Sequence, residues 1–179
     1  MTLRALILGS GSNTGASLIQ KLQSEGYTSA TFVQNPDDFL ADISPEAISQ
    51  ELAVNTVSLY AAVQAAVEGW DGLGKDEVDG GPRTLIYTEN PLPWTNLPKF
   101  VSLAMGKSAS ATLVESLAAT YGAGGKRFYF TMQVDEETGG LYDGIDGPAA
   151  AQVYWDLIQR EEQGGWKISF DEKLKLWES

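Results

Sequence analysis

Leu3-Arg4-Ala5-Leu6-Ile7-Leu8-Gly9-Ser10-Gly11-Ser12-Asn13-Thr14-Gly15 joins an apolar run to a glycine-rich turn, and a helical pattern from Asn13 to Glu25 opens directly out of that turn. A buried strand, a glycine turn and a helix in that order read as the first unit of a nucleotide-binding α/β fold. Glycine lets the backbone turn tightly and come close to a phosphate. The helix that follows presents unsatisfied N–H groups and the positive end of its dipole to an anion. Gly9, Gly11, Ser12, Asn13, Thr14 and Gly15 are therefore the candidate cofactor-binding residues.

Downstream, strand and helix patterns alternate. Ser29–Gln34 reads as a second strand, and a long helix starts at Ser44-Pro45-Glu46, an N-cap, a proline at the first helical position and an acid. Ile48, Leu52, Leu59, Val63 and Val67 carry that helix to about Trp70. Arg83–Thr88 reads as a third strand, Lys99–Tyr121 as a second long helix and Arg127–Val134 as a fourth strand. Asp146-Gly147-Pro148 opens the last helix, and Trp166–Phe170 is a fifth strand. This alternation predicts one domain, 1–179: a shortened Rossmann-like three-layer α/β sandwich on a five-stranded parallel sheet. Right-handed crossovers place the second strand outside the first, so the expected order is 2-1-3-4-5; the rival order is 1-2-3-4-5.

The chain has 179 residues, no cysteine and no histidine, with 24 acidic against 12 basic side chains and a net charge of −12. Disulfides, thiolate metal sites, cysteine nucleophiles and Ser-His-Asp triads are excluded, and no metal site is expected. General acid or base work falls to Asp, Glu, Lys, Tyr or water. The acidity disfavours nucleic acid and anionic membrane surfaces. No run approaches the length of a membrane span, and Ala5–Leu8 is too short for a secretory signal, so a cytoplasmic location is expected.

Further motifs extend the reading. The chain resembles a short-chain dehydrogenase/reductase, most closely the atypical fungal members with a Gly-x-Gly-x-Asn-x-Gly turn. Gly9 and Gly15 take the places of that family's first and last glycines. Ala53-Val54-Asn55-Thr56-Val57 resembles the helix segment bearing the asparagine of the Asn-Ser-Tyr-Lys tetrad. Thr88 falls where the serine sits, and Lys107, in Gly106-Lys107-Ser108-Ala109, falls on the lysine. The resemblance implies Lys107, Thr88 and Asn55 as catalytic residues: the ammonium at the site, the hydroxyl on a substrate oxygen, the asparagine holding a water beside Lys107. Glu89, Asn90, Trp94 and Tyr142 are candidate substrate contacts. Plainer readings stand beside these: Asn55 bridging helix backbone, Thr88 as a strand former, Lys107 capping a loop, the aromatics as core.

Two departures limit the carry-over. The position one helical turn before Lys107 is Leu103, where the family has the tyrosine whose phenol the ammonium activates. Leucine transfers no proton, and general acid catalysis is worth roughly 10²–10⁴-fold, so ordinary carbonyl reduction should be crippled. Tyr87 and Tyr60 are phenols elsewhere in the chain, neither at a motif position. In addition, roughly two strand–helix units of the family pattern, those that build the adenosine side of the cofactor site, are missing.

Three readings follow. One is a degenerate reductase-like protein working as a non-redox cyclase or isomerase on a small apolar metabolite, with no cofactor or only weakly bound NADP(H). Another is an NADPH-dependent carbonyl reductase with a non-standard proton donor. The third is a non-catalytic binding or partner-stabilising protein. All three expect a small-molecule ligand or partner, and self-association through the two long helices, whose small residues permit close approach.

Overall fold

The computed structural model describes the backbone of residues 5–9 and 39 and, with side chains, residues 38, 40–72, 83–141, 144 and 146–179. The residues of the Gly11–Gly15 turn, the Ser29–Gln34 strand and Tyr142 lie outside the described residues. The described elements run β1 (Ala5–Gly9), a single turn α1 (Phe39–Asp42), α2 (Pro45–Leu52), a π turn (Ala53–Val57), α3 (Ser58–Asp71), β2 (Arg83–Glu89), α4 (Val101–Tyr121), β3 (Lys126–Gln133), α5 (Gly147–Gln159), β4 (Lys167–Phe170) and β5 (Leu176–Glu178).

Start signals act as read. The Ser44 hydroxyl accepts from Ala47 N–H at 3.2 Å with Pro45 at the first position of α2. The Asp146 carboxylate accepts from Ala149 N–H at 3.1 Å at the head of α5. Each such cap is worth about 1 kcal/mol.

The strands alternate sides, so the sheet holds two cores. Leu85, Tyr87, Phe128, Phe130 and Met132 face Leu59, Val63 and Trp70 of α3 and Ala111, Val114, Leu117 and Ala118 of α4. Ile86, Tyr129, Ile168 and Phe170 face Val153, Leu157 and Ile158 of α5. Helices thus cover both faces, the expected three layers. Each fully buried large side chain contributes roughly 1.5–3 kcal/mol.

The sheet order is β1-β2-β3-β4-β5, with β1, β2, β3 and β4 parallel and β5 antiparallel to β4. This corrects the expectation of a five-stranded, wholly parallel sheet in the order 2-1-3-4-5. Direct pairing of β1 with β2, Leu6 against Leu85, is what that order required. The fifth described strand, however, comes from the C-terminal tail. The Asp171 carboxylate accepts from Lys173 N–H at 2.8 Å and Lys175 N–H at 3.0 Å, and Leu174 turns at φ 64. That tight reversal returns the chain antiparallel, which a short turn permits and a parallel pairing does not. Among the described residues no helix is long and apolar enough to cross a membrane.

A buried ion-pair cluster and an oxygen-lined pocket at the strand ends

The C-terminal ends of β2 and β3 carry the polar groups. The long helix predicted from Ser44 to Trp70 is continuous but widens at Ala53–Val57, where Ser58 N–H reaches back five residues to the Ala53 carbonyl. A π turn leaves backbone groups to side-chain partners, and such turns are frequent at functional sites. Here the Asn55 carbonyl accepts from the Ser110 hydroxyl at 2.7 Å and the Tyr87 hydroxyl at 3.1 Å. The Thr56 hydroxyl donates to the Gly106 carbonyl at 3.0 Å. Gly106 allows this approach, since a Cβ there would lie 3.0 Å from Asn55 Cβ and 3.3 Å from the Glu51 carbonyl.

Beneath that crossing sit two carboxylates and one ammonium. Lys107, only 2% exposed, pairs with Glu89, whose side chain is wholly buried. Glu51 is buried too, and its Oε2 accepts from Asn55 Nδ2 at 2.8 Å. The same Nδ2 donates to the Glu51 carbonyl at 3.1 Å. Burial raises the Glu51 pKa above its ordinary value; Lys107 and the Asn55 amide oppose that rise. Burial, reinforced by Glu89, pushes the Tyr87 phenol upward, so it stays protonated at neutral pH.

Thr88, at the next position of β2, points to the other face. Its Oγ1 accepts from the Tyr154 hydroxyl on α5 at 2.6 Å. Both line a pocket of about 60 Å³ with Glu89, Asn90, Gln133 and Phe170. The Tyr154 ring rests edge-on against Phe170, centroids 6.2 Å apart.

The structure thus joins Asn55, Glu89 and Lys107 in one buried cluster, and Thr88, Glu89 and Asn90 in one pocket, with Glu89 shared. Asn90 Oδ1 also accepts from Leu92 N–H at 3.1 Å, which shapes the turn after β2. The Asn55 side-chain Nδ2 is engaged with Glu51, and its backbone carbonyl with Ser110 and Tyr87. Trp94 lies apart, half exposed, lining a separate groove of about 610 Å³ with Leu52, Leu92 and Met105. There its ring meets Phe130 edge-on at 5.5 Å, under the Lys167 ammonium. Of the glycine-turn residues only Gly9 is described, as the last residue of β1 opposite Thr88. Among the described residues no cluster of carboxylates could hold a metal ion.

Sequence reasoning missed Glu51, Gln133 and Tyr154. Glu51 carried a signal, four residues before Asn55 and so one helical turn away. Gln133 and Tyr154 carried none, because only the packing of α5 on the sheet brings them to Thr88.

No protein-family model matches the chain. It is 32% identical over 142 residues to the short chain dehydrogenase/reductase dmxR12 of Cryptosporiopsis sp. (strain 8999), a match that covers 78% of this chain and 54% of that protein. The chain therefore spans about half the length of the curated relative it matches. Its fold is similar to that of a 4-hydroxyisoleucine dehydrogenase complexed with NADH and succinate, with a TM-score of 0.59 and 15% identity over 90% of this chain and 76% of that one. The likeness to dmxR12 in sequence, with a fold shared with a dehydrogenase, makes the chain a short-chain dehydrogenase/reductase-like protein.

Proposed function

We propose that the protein is a small-molecule enzyme built on the reductase scaffold and working without hydride transfer, as a cyclase or isomerase on a small apolar substrate. The observation that carries this reading is the state of Lys107. Its ammonium is buried against the Glu89 carboxylate, and one helical turn before it stands Leu103, so it has no phenol at the family's position to activate. Shape and a few fixed polar groups suffice for chemistry that moves protons and folds a substrate rather than delivering hydride. Dinucleotide binding is weak or absent on this reading.

A second reading, an NADPH-dependent carbonyl reductase, is favoured by the Tyr154 hydroxyl on Thr88, which offers a phenol from outside the motif. The NADH carried by the structural neighbour points the same way. NADPH and NADH consumption, followed by absorbance against a panel of small ketones and quinones, separates the two. Turnover lost in Tyr154→Phe would establish the second reading; no consumption of either nucleotide is expected on the first. On either reading a second copy pairs through the long helices. Exposed Val54, Val57 and Tyr60 along that run support the idea, and light scattering behind size exclusion tests it: a monomer at all concentrations would refute it.

A further inference from the structure

α2 turns a single side chain fully into the protein, and that side chain is Glu51. Ala47, Ile48 and Leu52 are half-buried, and the rest of the helix is exposed. A helix docked through so little apolar surface belongs to the segments that open locally, at less cost than global unfolding. Its anchor is a carboxyl, 3% exposed, whose Oε2 accepts from Asn55 Nδ2 at 2.8 Å. The same Nδ2 donates to the Glu51 carbonyl at 3.1 Å, so the end of α2 and the π turn are tied at one point. α4 closes that point from the other side, since a Cβ on Gly106 would lie 3.3 Å from the Glu51 carbonyl.

The groups around this carboxyl set its preferred state. Among the described residues, α4 brings the Lys107 ammonium, and β2 brings the Glu89 carboxylate, paired with that ammonium, and the Tyr87 phenol, bonded to the Asn55 carbonyl. Asn55, from the π turn, is uncharged. Lys107 is already engaged by Glu89, and burial penalises a second negative charge beside it. A neutral carboxyl suits the site, since its oxygen still accepts from the Asn55 amide. We propose that Glu51 is a proton-operated latch on α2: the protonated carboxyl holds the helix against Asn55 and α4, and loss of its proton lets α2 and the π turn open locally. The sign follows from linkage. Closed, the carboxyl titrates above its ordinary 4.5; open, it meets water and ionises there. Opening therefore grows about tenfold per pH unit above 4.5 and levels off once the closed form ionises too. The segment that opens carries Asn55 and packs on α4, the helix of Lys107, so the latch ties the exposure of the buried cluster to proton concentration. Neither the redox nor the non-redox reading enters this inference, and NADPH turnover leaves it untouched.

Amide hydrogen exchange of the full chain tests it, read by mass spectrometry and corrected for the intrinsic pH dependence of exchange, from about pH 5 to about pH 8. In the unsubstituted protein, protection over residues 45–57 should fall about tenfold or more across that range, while β3 stays protected. Glu51→Gln keeps a neutral side chain that still accepts from Asn55, so its protection over the same residues should be level with pH. A profile for residues 45–57 that is level in the unsubstituted protein overturns the proposal. So does one that falls as steeply in Glu51→Gln, and so does loss of protection in β3 in step with α2, which would be global unfolding. Should Glu51→Gln not fold, the unsubstituted profiles of α2 and β3 decide alone.

Discussion

Lys107→Met should cost the fold about 3–5 kcal/mol, because it strands a buried charge. Lys107 is 2% exposed and the Glu89 side chain is wholly enclosed. Had the pair been at the surface, its removal would cost at most about 1 kcal/mol. Methionine keeps most of the lysine stem, so packing changes little and the loss is nearly all electrostatic: Glu89 loses its counter-ion, and the neighbouring Glu51 loses the ammonium that offsets its burial. At a urea slope of about 2 kcal/mol per molar, the unfolding midpoint falls by roughly 1.5–2.5 M. Tryptophan fluorescence and circular dichroism in a urea series measure it. The double variant Lys107→Met with Glu89→Gln removes both charges and should recover a large part of the loss, since a buried pair contributes little over a neutral replacement. A single variant that loses less than about 1 kcal/mol, or a double variant no better than the single, would refute the buried ion pair.

Gly106→Ala should destabilise by about 1–3 kcal/mol, seen in thermal melts, because the new methyl meets Asn55 Cβ at 3.0 Å where α4 crosses the π turn. Glu51 has a folded-state pKa raised above its ordinary 4.5, so its protonated form is the stable one: its contribution is full below that value and is lost as pH rises through the folded pKa. Glu51→Gln should therefore raise stability at neutral pH and flatten the decline above pH 4.5; an unchanged slope in melts across that range would contradict it. Tyr87→Phe should cost about 1 kcal/mol, since Ser110 still donates to the Asn55 carbonyl; a loss above about 3 kcal/mol in the same assay would show that Ser110 does not suffice.

Much of the framework was readable because local signals and burial agree in it. Arg83–Thr88 and Arg127–Val134 are apolar runs between turn residues, and they became β2 and β3 within a residue at either end. Ser44-Pro45 and Asp146-Gly147-Pro148 marked helix starts through caps that depend only on neighbouring residues. The tail strand Leu176–Glu178 was not readable: three exposed residues carry no periodicity, and their pairing depends on the Asp171 turn. Nor was the π turn, since Ala53–Val57 has an ordinary helical composition and its widened carbonyl is stabilised from Tyr87 and Ser110, distant in sequence. The candidate site divides the same way. Lys107, Asn55 and Thr88 stood out because a family pattern could be laid over them. The partners that decide their chemistry, Glu51 within the cluster and Tyr154 and Gln133 around Thr88, are set by helix packing on the sheet.

The claim at the centre of this account is that Lys107 no longer serves a hydride-transfer site. Calorimetric titration of the full chain with NADPH, repeated with NADH, tests it most directly. The account predicts weak or no binding of either nucleotide, with the same result in Leu103→Tyr. A submicromolar dissociation constant for NADPH, accompanied by reductase turnover in the unsubstituted protein, would contradict it.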